Sequence, residues 1–393
     1  MSTGLLCLFF ASVFAQTETT DSIKSLEVEE VIINASRQGL SLDDIPQKVE
    51  IISKTAIAAV PNENLAEALK RVANIDIIQY PGVSASVGMR GFSPSAHSRS
   101  YTLILLNGKP MGTCNIAAID PEMIESIEVV KGPYSMLYGT DAMGGIINII
   151  TKKDFSQTSG SASISVGSNG KFNTSARVFG KLTDKSKLIL GFSHRQQMKD
   201  YRIGGNNLLE MNKKQLAILD EASFNDVMKN STFSTNQING SYIQSIAKSW
   251  TVSAEAIYFI ANDIETPGNY WGSAGQSKKD IERFNFYLPI TQKSERNSFE
   301  ISPYFTLENT ANYSDNSDTG YVSLDTKVSE YGLKLNDSYS FGKLKCMLGG
   351  DWDMYDYNSD RYSSKTLNIN PYKPDNRNSK LGVLLNLHIL ESI

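Results

Sequence analysis

The pattern of apolar and polar positions changes character once along the chain, near residue 158. Beyond that point, apolar and polar residues alternate in segments of about ten. Trp250, Val252, Ala254, Ala256, Tyr258 and Ile260 share one face of an extended segment, and Thr251, Ser253 and Glu255 share the other. Phe299, Ile301, Pro303, Phe305 and Leu307 stand in the same way against Glu300, Ser302, Tyr304 and Thr306. Further rows run through Leu188/Leu190/Phe192, Phe284/Phe286/Leu288/Ile290, Leu344/Cys346/Leu348 and Leu381/Val383/Leu385/Leu387/Ile389. About ten strand-like segments result. Polar insertions at 199–236, 263–279 and 309–325 occupy every second gap. Strands of a soluble sandwich alternate too. Long insertions on one side, with Trp250, Tyr258, Phe299 and Trp352 near row ends, favour antiparallel transmembrane β-barrel strands with interfacial aromatics.

The part before residue 158 mixes both periods. Ile45–Ser53 alternates as a strand, with Ser53 placed to cap the next element. Leu65, Ala68, Leu69 and Val72 recur at helical spacing and predict a helix over Asn64–Val72. Ile75–Gln79 is extended, Pro81-Gly82 turns, and Tyr101–Leu106 is a strand closed by Asn107-Gly108. In Ile119–Lys153 an apolar run at Ile127–Val130 stops at Lys131-Gly132-Pro133. A loop bearing Tyr134, Tyr138, Gly139, Gly144 and Gly145 comes next, and a second β-branched run starts at Ile146. These elements predict a small α+β domain, a sheet flanked by short helices.

Composition narrows the function more than the fold. A net charge of −4 over 393 residues leaves no basic footprint, so nucleic acid is not an expected partner. Residues 1–15, MSTGLLCLFFASVFA, carry an apolar core from Leu5 to Phe14 and no basic n-region, and read as a signal peptide cleaved near Ala15. A membrane span needs about 20 apolar residues, which this run does not supply. Cys7 would leave with the signal, and Cys114 and Cys346 are expected as two unlinked thiols. His97, His194 and His388 lack metal-ligand spacing, and no nucleophile elbow occurs. Gly139–Gly145 lacks the Lys and helix start of a phosphate-binding loop, so turn geometry explains it. Asp315-Asn316-Ser317-Asp318-Thr319-Gly320 loosely resembles a calcium loop. Asp315, Ser317 and Asp318 are thus the sole, weak metal candidates, and a solvated turn is the favoured reading. No catalytic residue and no cofactor is expected.

The stretch IDPEMIESIEVVKGPYSMLYGTDAMGGIINIITKK, Ile119–Lys153, resembles almost residue for residue the end of the plug domain in TonB-dependent outer-membrane receptors. Val87–Phe92 is similar to the family's I-x-I-R-G-F element, and Tyr101–Leu106 with Asn107-Gly108 to its V-L-V-D-G strand. Leu26–Arg37 resembles the N-terminal segment that includes or adjoins the TonB box. The resemblance implies a periplasmic N-terminal segment at 16–37, a plug at 38–153 and a partial barrel at 158–393. It further implies a place in the outer membrane of a Gram-negative bacterium, and energy-driven uptake of a scarce nutrient of the ferric siderophore, haem or cobalamin type. The implied partners are the nutrient, outer-membrane lipid, and TonB of the TonB–ExbB–ExbD inner-membrane complex. Leu26, Glu27, Val28, Glu29 and Glu30 are the residues expected to pair with TonB by strand addition. Val31–Ala35 reads equally as the first plug strand. Arg90 is expected in the plug–barrel contact zone, where a buried guanidinium requires carboxylates. Ligand contact is expected from outward plug loops at Ser84–Ser86, Ser93–Ser100 and Gly112–Ala117, with Ser86, His97, Arg99 and Asn115 as candidates.

Length raises a second expectation. Barrels that hold a plug have about 22 strands, or about 220 residues of strand alone. After residue 153 the chain offers 393 − 153 = 240, so a C-terminally truncated receptor with an incomplete barrel is expected. The alternative is a non-transporting surface binding protein, an adhesin or an inactive receptor remnant. A sugar-polymer receptor or a transcription-signalling variant is disfavoured, because no additional N-terminal domain is seen before the plug.

Overall fold

A computed structural model of the chain describes residues 32–33, 40–41, 45, 47–58, 64–72, 75–80, 83–94, 101–112, 115–119, 121–151, 157–202, 227–228, 230–266, 277–315, 317 and 320–389. β1 (Ile32–Ile33) and β2 (Leu40–Ser41) form a ribbon of their own, so Ile32–Ile33 is not a strand of the larger sheets. β3 (Lys48–Ser53) runs directly into α1 (Lys54–Ala58), where Ser53 caps as expected: the Ala56 N–H donates to its Oγ at 3.2 Å. α2 (Leu65–Val72) buries Leu65, Ala66, Ala68 and Leu69 and exposes Lys70, and Asn64 Oδ1 accepts the Glu67 N–H at 3.2 Å. β4 (Asp76–Tyr80) and β5 (Ser84–Gly88) make a hairpin. β6 (Thr102–Leu106) and β7 (Lys109–Pro110) make another, turned by Asn107 at φ 48° and Gly108 at φ 81°. Positive φ at both positions is what a type I′ turn requires, and Asn-Gly supplies it at low strain.

β8 (Ile124–Lys131) and β9 (Gly145–Thr151) flank the loop carrying α3 (Ser135–Tyr138). They form the centre of a sheet ordered β3-β8-β9-β6-β7, in which β6 and β9 are parallel and the other pairs antiparallel. Ile127, Val129, Ile147 and Ile149 enter one apolar cluster and Val130 and Ile146 another. Burial on both faces explains why these strands are continuously apolar. A Cβ at Gly145 would stand 2.5 Å from the Val130 carbonyl oxygen, so glycine is what lets β8 and β9 meet there.

The remainder is built from β10 (Ser159–Gly167), β11 (Lys171–Thr183), β12 (Ser186–Gln197), β13 (Tyr201–Arg202), β14 (Val227–Met228), β15 (Phe233–Ala247), β16 (Trp250–Thr266), β17 (Ser277–Tyr287), β18 (Ile290–Lys293), β19 (Asn297–Tyr313), β20 (Val322–Phe341), β21 (Leu344–Tyr362), β22 (Asn368–Ile369) and β23 (Asn376–Ile389). β13 and β14 pair only with each other, and the other twelve form one sheet, here called the wall. All its pairings are antiparallel. β17 and β18 both lie between β16 and β19 and count as one interrupted pass. With the two-residue β22 set aside, twelve strands reduce to the ten passes expected. Turns at 184–185, 248–249, 294–296 and 342–343 mark one end of the wall. Connections 198–232, 267–276, 314–321 and 363–375 mark the other, as the spacing of insertions predicts. Strands intrude further into those insertions than the alternation indicates: β16 reaches Thr266 and β19 reaches Tyr313. Ladder hydrogen bonds need only backbone groups, so pairing continues after the apolar side chains stop.

The two faces of the wall invert the order of a soluble sheet. On β16 the buried face carries Ser253, Glu255, Ile257, Phe259 and Ala261, while the row from Trp250 to Ile260 stays accessible. On β17 Arg283, Asn285 and Tyr287 are buried, and Phe284 and Phe286 are not. Leu381 and Val383 on β23 are 80% and 79% exposed, in a row continued by Leu385, Leu387 and Ile389. The ten steps from Trp250 to Ile260 span about 33 Å along the strand, or about 25 Å of height at the usual barrel tilt. That matches the apolar band of a membrane barrel, and its upper limit falls at neighbouring polar positions: Asn262, Glu282, Asn309, Asp356 and Arg377. Trp250 packs on Phe299 with centroids 6.1 Å apart, beside the short-turn end, and Tyr339 on Phe341 at 4.4 Å.

Candidate functional site

Among the described residues, 107–112 and 115–118 form an arm whose contacts reach the inner face of β16, β17 and β19. Asn107 Nδ2 donates to Glu255 Oε2 at 3.2 Å, and Lys109 Nζ lies 2.9 Å from Glu300 Oε1. The Tyr287 hydroxyl donates to the Pro110 carbonyl at 3.0 Å. Asn285 Nδ2 donates to the Met111 carbonyl at 3.0 Å and to Thr306 Oγ1 at 3.1 Å. Gly112 lies so close that a Cβ there would meet Thr306 Cγ2 at 2.3 Å. Arg283, 1% exposed, donates from Nη2 to the Ala118 carbonyl at 2.6 Å. Its guanidinium lies 5.1 Å from the Phe259 ring centroid and 3.4 Å from Glu308 Oε2. Carboxylate, carbonyl and ring face together compensate a charge that would be costly if buried alone. Elsewhere, Gln237 Nε2 donates to Met123 Sδ at 3.3 Å, and Lys380 Nζ reaches Asp141 at 2.9 Å.

The arm ends where the long connections begin. Val83 and Ala118 cluster with Phe233, Phe259, Ala261, Ile264 and Ile281. Phe233 comes directly after connection 198–232 and Ile264 precedes 267–276, so residues 83–86 and 115–118 lie at the long-loop end. At the centre of the first domain's sheet, Asn148 is matched on both sides of its amide. Asn148 Nδ2 donates to the buried Glu128 at 2.8 Å, and Asn148 Oδ1 accepts the Gly108 N–H at 2.9 Å. Burial, reinforced by Glu128, pushes the Tyr134 hydroxyl up to about 12. Burial opposes ionisation of Glu50, but hydrogen bonds from Lys131 at 2.8 Å and Lys48 at 3.1 Å outweigh it and hold its carboxyl below the ordinary value.

The residues singled out in the sequence fall into three groups. Leu26, Glu27, Val28, Glu29, Glu30, His97, Arg99 and Asp318 lie outside the described residues. Ser86 is buried in β5, its hydroxyl without a partner among the described residues. Asn115 uses its amide internally: Nδ2 donates to the Val83 carbonyl at 2.9 Å, and Oδ1 accepts the Ala85 N–H at 3.0 Å and the Ala117 N–H at 3.2 Å. Arg90, read in the sequence as a buried plug–barrel contact, is instead exposed. It sits at φ 53° in the tight turn that Met89 and Phe92 close, with Nη1 beside Gly132. The reason is local: Arg90-Gly91 takes the two positive-φ positions of a tight turn, where the side chain stands exposed beside Gly132. Asp315 accepts hydrogen bonds from the Ser317 N–H at 3.0 Å, the Ser317 hydroxyl and the Ser314 hydroxyl at 2.9 Å, which hold its carboxyl low. These bonds close the turn between β19 and β20. Among the described residues no group of three or more His, Cys, Asp or Glu could hold a metal ion.

The seam partners Glu255, Arg283, Asn285, Tyr287 and Glu300 are not among the residues that sequence reasoning singles out. The alternation places each of them opposite the apolar row of its strand, which marks the face but not the partner that meets it.

Residues 41–146 match the TonB-dependent Receptor Plug Domain family. Over 177 residues the chain is 31% identical to the iron-regulated outer membrane virulence protein of Vibrio cholerae, covering 42% of this chain and 25% of that protein. It is 30% identical to the vitamin B12 transporter BtuB of Vibrio vulnificus, covering 44% of this chain and 28% of the relative. The chain thus spans well under half the length of these curated relatives. Its fold is similar to that of the copper transporter OprC, with TM-score 0.64 at 16% identity over 86% of this chain and 52% of the other. It is equally similar to the ferric enterobactin receptor PfeA, with TM-score 0.64 at 17% identity over 88% and 56%. The siderophore receptor PirA of Pseudomonas aeruginosa gives 0.57 at 17% over 88% and 53%. Residues 41–146 are therefore a plug domain of the TonB-dependent receptor type, and the strands after them have the fold of such receptors' barrels, as the similarity to outer-membrane relatives also indicates.

Proposed function

We propose that the protein takes part in energy-driven uptake of a scarce nutrient, of the ferric siderophore, haem or cobalamin class, by binding it and gating its passage without covalent chemistry. The observation that carries this reading is a plug seated on the polar face of a sheet whose other face is an apolar band of membrane height. A stopper held by carbonyl captures, the two ion pairs Lys109–Glu300 and Lys380–Asp141, and apolar contacts in two clusters is firmly placed yet separable, because its polar contacts exchange for water at modest net cost. The names of relatives support the ligand classes: a vitamin B12 transporter and receptors for siderophores are among them. The segment Leu26–Glu30 is the part proposed to pair with TonB, and 16–37, 38–153 and 158–393 are the proposed functional divisions.

Uptake assays test this. Cells producing the receptor would be offered ferric enterobactin, haem and cyanocobalamin, with and without functional TonB. The expected result is TonB-dependent accumulation of one ligand, abolished when Leu26–Glu30 is deleted. Accumulation that is indifferent to TonB, or binding of none of the three classes, contradicts the proposal.

A further inference from the structure

Asn115 is a candidate ligand contact by sequence, yet its side chain is committed elsewhere. One amide bridges two loops 30 residues apart in sequence: it donates to the Val83 carbonyl and accepts from the Ala85 and Ala117 N–H groups. Val83, Ala85 and Ala117 are buried, so these bonds exchange poorly for water, and losing them would leave unsatisfied backbone groups. The Ala85 N–H points to Asn115 and not to the β4 ladder, so nothing else on the β4–β5 hairpin replaces this contact for it. Directly beyond Asn115, the backbone turns once through Ile116–Ala118, and the Ala118 carbonyl is held by Arg283 of the wall. A continuous path therefore runs from Arg283 through residues 115–118 to the tip of the β4–β5 hairpin, with Asn115 as its hydrogen-bonded joint.

We infer that Asn115 is a positioning residue that makes the two outward plug loops, 83–86 and 115–118, move as one body keyed to the wall through Arg283. A ligand touching either loop would then displace both, converting local contact into a change of plug seating. This use of the joint rests on the uptake reading above, whereas the mechanical coupling itself does not.

Amide hydrogen exchange on the full chain in detergent micelles, without ligand, tests the coupling. Asn115→Ala is expected to speed exchange at Ala85 by about tenfold or more, while β8 and β9 amides keep their protection. Arg283→Met is expected to speed exchange at Ala118, Ile119 and Ala85 in the parent, but only at Ala118 and Ile119 when combined with Asn115→Ala. Asn115→Asp, which keeps the accepting oxygen, is expected to restore protection at Ala85. It also serves if the Ala variant does not fold, since Arg283→Met should then still reach Ala85 through the Asp. Unchanged exchange at Ala85 in Asn115→Ala overturns the inference. So does an Arg283→Met effect at Ala85 that is equal in the parent and in the Asn115→Ala background. A failed uptake assay with this coupling intact would refute the transport reading alone.

Discussion

Two glycines with positive φ separate backbone strain from steric exclusion. At Gly108, φ is 81° and a Cβ would meet nothing within 4 Å, so Gly108→Ala should cost only about 1 kcal/mol of backbone strain. At Gly145, φ is 155° and a Cβ would lie 2.5 Å from the Val130 carbonyl oxygen and 2.7 Å from Met89 Sδ. Gly145→Ala must part β8 from β9, so it should cost about 3 kcal/mol or more in denaturant unfolding of the plug. Titration gives a second test at this scale. The depressed Glu50 carboxyl stabilises the plug at neutral pH, and that stability is lost as pH falls through its folded value, below 4.5. Glu50→Gln should therefore flatten the acid limb of plug stability. Tyr134 works in the opposite direction. Its folded value near 12 lies above the ordinary 10, so its contribution is whole below pH 10 and is lost between 10 and 12. Tyr134→Phe should remove that alkaline limb.

At the scale of elements, an ion pair of unequal exposure joins β7 to the wall. The Lys109 side chain is 8% exposed and that of Glu300 30%. Glu300→Ala leaves an ammonium without its carboxylate against the wall and should weaken plug seating by about 2 kcal/mol. That is below the usual cost of breaking a buried pair, because Glu300 keeps some water. Replacing both residues by Met should cost less than the two single changes added, and a double-mutant cycle on plug protection measures the difference. Much of this element structure is legible in the chain alone. The Asn107-Gly108 turn, the Ser53 cap, the α2 helix and the ten passes obey short-range rules about φ, caps and period. The seam is not legible, because period two says that Arg283 and Phe284 point apart but not which face meets a partner. Arg90 misleads for a related reason: its motif implies a buried contact, while its turn geometry gives it exposure. Asn115 stands out as a polar loop residue, but sequence cannot distinguish an amide that faces ligand from one that faces backbone.

For the whole molecule, lipid belongs on one side of the wall and the plug on the other. Leu385→Lys, on the exposed row of β23, should cost about 2–4 kcal/mol of folding in lipid, whereas Asn386→Lys on the opposite face should cost little. Heat-modifiable mobility on gels would measure the folded fraction of each. The sharpest test is a scan of spin labels along β16, one position at a time from Thr251 to Ile260, in reconstituted bilayers. Labels at 252, 254, 256, 258 and 260 are expected to contact oxygen dissolved in lipid. Labels at 251, 253, 255, 257 and 259 should instead be shielded, and from 255 onward immobilised by the plug. A reversed alternation, or equal lipid contact at successive positions, would contradict the seating of the plug on the polar face.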